Sequence, residues 1–256
     1  MRRLVTRLTL LAALLLPSLG AARDFGSFRK DDLSAPQSVA KIKDPTGAAP
    51  TANVTAFTIP PGYCNPKPYE PGGTESDCTY NSTRAQMVEG ARSQPKEAWY
   101  GWWVYFPADF RFGSRQVKGH YEFAYWHNKQ CPHLTFFSQG SDMLYLGTNR
   151  ALGNYDCAPG KPLAVARFFE LLGRWTQFEV HVVWSSGAAG RAEVYLNGDL
   201  RTTLSGPTLT KGLENTNYFK YGIYLCCTAD AAQIRGTSLL FAGVKRASSR
   251  EGLALR

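Results

Sequence analysis

Lys220, Gly222 and Tyr224 lie at alternate positions in the run Tyr218-Phe219-Lys220-Tyr221-Gly222-Ile223-Tyr224. In a β-strand successive side chains point to opposite faces, so these three share one face while Phe219, Tyr221 and Ile223 share the other. One face is greasy and the other ionisable. A glycine between a lysine and a tyrosine leaves a gap where a ligand could approach the backbone with a proton donor on each side. Elsewhere Arg84, Gln86 and His127 stand at strand positions. Together these residues supply a cation or amide for a carboxylate, a base of moderate pKa and a phenol. β-Elimination on a uronic acid needs that set: the carboxylate is neutralised to acidify the C5 proton, a base removes the proton, and an acid protonates the departing O4. Taken singly, a lone strand histidine or a Lys/Tyr pair is more often structural, so the combination carries the reading.

The elements that must position these groups read as strands. Phe57-Thr58-Ile59 is a short first strand, and Ser82 to Val88 sets Arg84 and Gln86 on one face and Ala85 and Met87 on the other. Ala98 to Phe106 is apolar on both faces, as in a central strand covered on both sides. Gly119 to His127 places Tyr121, Phe123, Tyr125 and His127 together and Glu122, Ala124 and Trp126 opposite. In Arg174 to Trp184, residues Phe178, Val180, Val182 and Trp184 form a core side. Asn197-Gly198 signals a type I′ hairpin, and Ser238 to Val244 is a last strand. Pro162 to Leu172 is the one stretch read as a short helix. About ten strands, rich in aromatics, predict an all-β jelly roll, a two-sheet antiparallel sandwich with a concave groove.

The chain has 256 residues, enough for one domain with a sizeable core. Arg2, Arg3 and Arg7, an apolar run from Leu8 to Leu16 and the small residues Gly20 to Ala22 predict a signal peptide over 1–22. Residues 23–54 read as an irregular arm, 55–247 as the jelly roll and 248–256 as a tail. The product is expected to be secreted or periplasmic and monomeric, with no membrane span. Losing three arginines takes the formal charge from +9 to +6; a basic exported chain suits an acidic polysaccharide rather than nucleic acid. All six cysteines lie beyond the signal. Cys64 with Cys78 and Cys131 with Cys157 are the expected pairs, each stapling a loop, whereas Cys226 and Cys227 could join only in a strained ring. Scattered histidines and the lack of a C-x-x-C pair make metal ligation the weaker alternative, and neither a metal nor an organic cofactor is expected.

The phosphate loop, the H-E-x-x-H zinc pair and the G-x-S-x-G elbow are missing from the sequence. What is present resembles the jelly-roll polysaccharide lyases, the group of alginate, glucuronan and heparin lyases. Residues 218–224 look like its Y-F-K-x-G-x-Y signature. Arg84-Ala85-Gln86-Met87 is similar to its R-x-E-L strand, Tyr125-Trp126-His127 stands where it has Q-x-H, and Trp175 to Trp184 followed by Tyr195-Leu196-Asn197-Gly198 matches its long strand and N-G hairpin. The resemblance spans roughly residues 55–246. It implies His127 as general base, Tyr224 as general acid or as both acid and base in a syn elimination, Arg84 as the carboxylate-side cation, and Lys220 as a sugar-binding cation. Gln86 replaces the family's glutamate and Tyr125 its glutamine, so Gln86 or Asn128 becomes the candidate carboxylate-neutralising amide. Two other classes remain open: a glycan-binding module stacking sugars on Tyr121, Phe123 and Tyr125, and a β-sandwich glycosidase, which would need a close carboxylate pair.

Overall fold

The computed structural model describes residues 24–69, 71–90, 93–110, 120–128, 130–139, 142–153, 156–228 and 236–254. The expected signal peptide lies outside the described residues. The chain forms two antiparallel sheets packed face to face. One runs β1 (Phe28–Lys30), β4 (Thr83–Glu89), β14 (Tyr218–Cys226), β6 (His120–His127), β7 (Pro132–Gln139), β8 (Met143–Gly153) and β10 (Leu163–Arg167), with β9 (Asp156–Pro159) paired to β8. The other runs β13 (Asp199–Ser205), β12 (Arg191–Leu196), β11 (Trp175–Val183), β5 (Glu97–Tyr105), β15 (Thr237–Ala247), β3 (Asn53–Ile59) and β2 (Val39–Lys43). This is the expected sandwich.

The core lies between the sheets and is largely aromatic. Trp102 of β5 stacks on Phe178 at 5.5 Å and meets Trp126, Phe136 and Phe219 from the opposite sheet. Phe219, Tyr221, Ile223 and Leu225 supply β14's share of that core, so the intervening residues face away from it. A buried polar network pins the start of β14: the Glu89 carboxylate accepts from the Phe219 N–H and from Gln94, and pairs with Arg246 at 3.0 Å. The hairpin turn at Asn197 and Gly198 has φ of 49° and 92°, the left-handed pair that type I′ requires.

Three expectations are corrected, and the C-terminal tail is located. The stretch read as an irregular arm contributes the edge strands β1 and β2; they are three and five residues long and mostly exposed, so no alternation marks them. The helix expected at 162–172 is β10 followed by a 3₁₀ turn at Phe168–Glu170; a short apolar run does not reveal its period. The C-terminal tail is docked, since Leu253 is buried where Gly101 leaves room on the outer face of β5. Lastly, β6 does not alternate throughout. Its register against β7 jumps between Glu122 and Ala124, and Phe123 and Ala124 both enter the core alongside Tyr121 and Trp126. Such a bulge reverses side-chain parity. Glu122 therefore joins Tyr125 and His127 on the outer face, and Tyr121 and Phe123 are withdrawn from it.

Candidate active site

Three neighbouring strands, β4, β14 and β6, build the floor of the face. Register places Arg84 opposite Tyr224, Gln86 opposite Gly222, and Lys220 between Val88 and Tyr125. Residues directly opposite in an antiparallel pair share a face, so Arg84, Gln86, Tyr125, His127, Lys220 and Tyr224 come together on one surface. Asn128 does not. It is fully buried, its Oδ1 accepts from the N–H groups of Gln130 and Cys131 at 2.6 and 2.7 Å, and its amide nitrogen lies 3.4 Å from the His133 ring. It shapes the turn that Cys131–Cys157 staples.

Both cations are already paired within the protein. Lys220 Nζ sits 2.6 Å from Asp31 Oδ2, both side chains nearly buried. Arg84 grips Asp77 through Nε at 2.9 Å and through Nη2, and its guanidinium lies 4.6 Å from the Tyr224 ring centroid. Burial pushes the Asp31 carboxyl up, but Lys220 and Arg84 outweigh it and hold the group well below its usual range. Burial pulls the Lys220 ammonium down, opposed by Asp31. Neither carboxylate announces itself in the sequence, because Asp31 lies 189 positions from its partner, in the stretch read as an arm, and Asp77 in a loop.

Gln86 is the exception. Its Oε1 accepts from the Tyr125 hydroxyl at 2.8 Å, which fixes the amide's orientation, and its buried Nε2 has no hydrogen-bond partner. A buried unsatisfied donor costs about 1–3 kcal/mol.

The proton-handling groups divide along β14. His127 lies opposite Tyr218, whose hydroxyl is 3.3 Å from His127 Nδ1. That nitrogen also faces the Asn128 carbonyl. Burial, then Lys220 and Arg84, push His127 well below its ordinary value. Tyr224 is six residues further along β14, beyond a register shift between Tyr221 and Tyr224. Opposite Tyr224 stands Glu122, and opposite Cys226 stands His120. His120 Nε2 is 3.7 Å from Glu122 Oε1. Burial raises the Glu122 carboxyl, against the opposing charge of His120. Burial also raises the Tyr224 phenol, with Arg84 opposing. Sequence reasoning missed Glu122 because the bulge moves it to this face.

Gly222 differs from expectation as well. Its φ is +128°, and an added Cβ would point inward, against the Ala85 carbonyl oxygen and 2.7 Å from the Phe57 ring. The missing side chain makes room for Phe57 of the opposite sheet, and is not an opening for a ligand.

A family model for polysaccharide lyase matches residues 26–241. The chain belongs to that family. No curated protein matches its sequence. The lyase's fold is shared with an endo-β-1,4-glucuronan lyase from Trichoderma reesei, at TM-score 0.59 and 14% identity over 88% of this chain and 91% of that one. An alginate lyase from Klebsiella pneumoniae gives 0.51 and 12% over 78% and 83%, and a family 7 alginate lyase 0.52 and 14% over 83% and 84%. These likenesses establish the jelly roll of the lyase. The disulfides Cys64–Cys78 and Cys131–Cys157 fall as expected, and Cys226 and Cys227 are joined to each other. No helix among the described residues is long and apolar enough to cross a membrane.

Proposed function

We propose that this lyase is exported through the segment 1–22 and cleaves a uronate-containing polysaccharide by β-elimination at Tyr224. The observation that carries the reading is the meeting of Arg84, Gln86, Lys220 and Tyr224 on one face. The substrate carboxylate is held at this face by Arg84, whose charge stabilises the anion as the C5 proton leaves. Arg84 and Lys220, already balanced by Asp77 and Asp31, hold the local potential without becoming dehydrated free charges. The Tyr224 hydroxyl donates its proton to the departing O4, and the Arg84 guanidinium over its ring stabilises the phenolate that remains.

The base must act on C5, which is bonded to C4, the carbon that carries O4. That places it beside Tyr224, so the role expected of His127 passes to the His120–Glu122 pair. In a syn elimination, the pair returns to Tyr224 the proton that it has given up. His127, with Tyr125 and Tyr218, binds the chain further along. His120→Ala is therefore expected to lower kcat by about 10²-fold or more, whereas His127→Ala raises KM with a smaller change in kcat. Steady-state kinetics of the two variants check this, and a loss of kcat confined to His127→Ala reverses the assignment.

The function itself is tested by incubating the purified protein with glucuronan, alginate and heparin and following the absorbance of unsaturated products. Appearance of such products from at least one polymer is expected. Retention of a polymer without product from any of the three would instead favour a glycan-binding module.

A further inference from the structure

Tyr69 and Tyr80 are 37% and 43% exposed, and they lie in the loop that joins β3 to β4. Their rings are parallel within 7°, with centroids 6.1 Å apart. The same Arg84 guanidinium that covers Tyr224 lies 5.7 Å from the Tyr69 centroid, so the pair continues the active face past its Tyr224 end.

The loop is held in place from several sides. Cys64–Cys78 staples it. The Tyr69 hydroxyl donates to Asp77, the partner of Arg84, at 2.9 Å. Beyond the vicinal disulfide, Thr228 donates through its N–H and its hydroxyl to the Asn81 carbonyl at 3.2 and 2.9 Å, and the Cys227 N–H donates to the Ser82 hydroxyl at 3.2 Å. Two aromatic rings fixed in this way at the surface lose little freedom when a ligand covers them.

We infer that Tyr69 and Tyr80 form a sugar-stacking subsite for a uronate ring next to the one being cleaved, on the Tyr224 side. The inference rests on the lyase reading. The occupant follows from continuity: a polymer held at Arg84 and Tyr224 must pass either this wall or the His127 end. The C–H face of a pyranose is apolar and suits a tyrosine face, while the ring's carboxylate stays in water. The enzyme would then prefer chains long enough to fill this subsite.

Tyr80→Ala removes one ring without touching Arg84 or Asp77, and Tyr80→Trp keeps a platform. On whichever of glucuronan, alginate or heparin the wild type cleaves, Tyr80→Ala should raise KM about three- to tenfold, within the worth of one aromatic contact, with kcat nearly unchanged. Tyr80→Trp should restore KM. Unchanged KM in a Tyr80→Ala protein with wild-type thermal unfolding overturns the subsite and leaves the lyase reading standing. If the wild type cleaves none of the three, the lyase reading fails separately, and retardation in gels containing each polymer decides the subsite. Weaker retardation of Tyr80→Ala then supports the platform, and equal retardation in all three gels overturns it.

Discussion

Tyr224→Phe is expected to lower kcat by about 10²–10⁴-fold on the cleaved polymer, the usual worth of a positioned proton donor, while leaving unfolding and polymer binding close to wild type. The hydroxyl is one atom on a partly buried ring whose packing against Arg84 the phenylalanine retains. The wild-type pH profile carries a second signature. The donor works only when protonated, and burial raises its pKa above the ordinary 10, so the alkaline limb of kcat/KM should lie above pH 10. Raising the pKa keeps the acid form to higher pH, and activity is lost as pH rises through it. A variant that unfolds would return Tyr224 to a structural role. One that turns over at the wild-type rate would remove it from the chemistry.

What could be read from the sequence was what repeats with period two over a long run. β11 and β14 announced their core faces because seven or more residues alternate without interruption, and the Asn197-Gly198 turn was marked by its chemistry. The two loop disulfides were legible because their partners are close in the chain. The site was legible only in part. Arg84, Gln86, Lys220 and Tyr224 lie on β4 and β14, which keep register with each other, so counting by twos placed them on one face. Glu122 was hidden because one bulged residue in β6 reverses every side chain beyond it. His127 stood on the expected face but opposite Tyr218 rather than Tyr224, and pairing register between strands distant in sequence leaves no local mark. Asp31 was hidden for the same reason, 189 positions from Lys220, whereas Asp77 stands only seven residues before Arg84 but in a loop, which has no period to count by.

The second large effect falls on Gly222, and it is a loss of stability rather than of chemistry. Gly222→Ala must place a Cβ on a residue with φ of +128°, a region L side chains rarely adopt, and must also push it into the Phe57 ring and the Ala85 carbonyl. Backbone strain of about 1–3 kcal/mol and overpacking of about 1–3 kcal/mol act together, so the expected cost is about 2–6 kcal/mol, read as a lowered urea midpoint at unchanged slope. Gly206→Ala separates the two contributions. Gly206 has a similar φ of +116° with nothing within 4 Å of an added Cβ, so that variant carries the strain alone and should lose about half as much. Equal losses in the two variants would mean that Phe57 moves aside freely. The glycine's importance would then reduce to the torsion that lets β14 pass from Tyr221 to Tyr224 against the bulged β6, and so present Lys220 and Tyr224 to the same sugar chain.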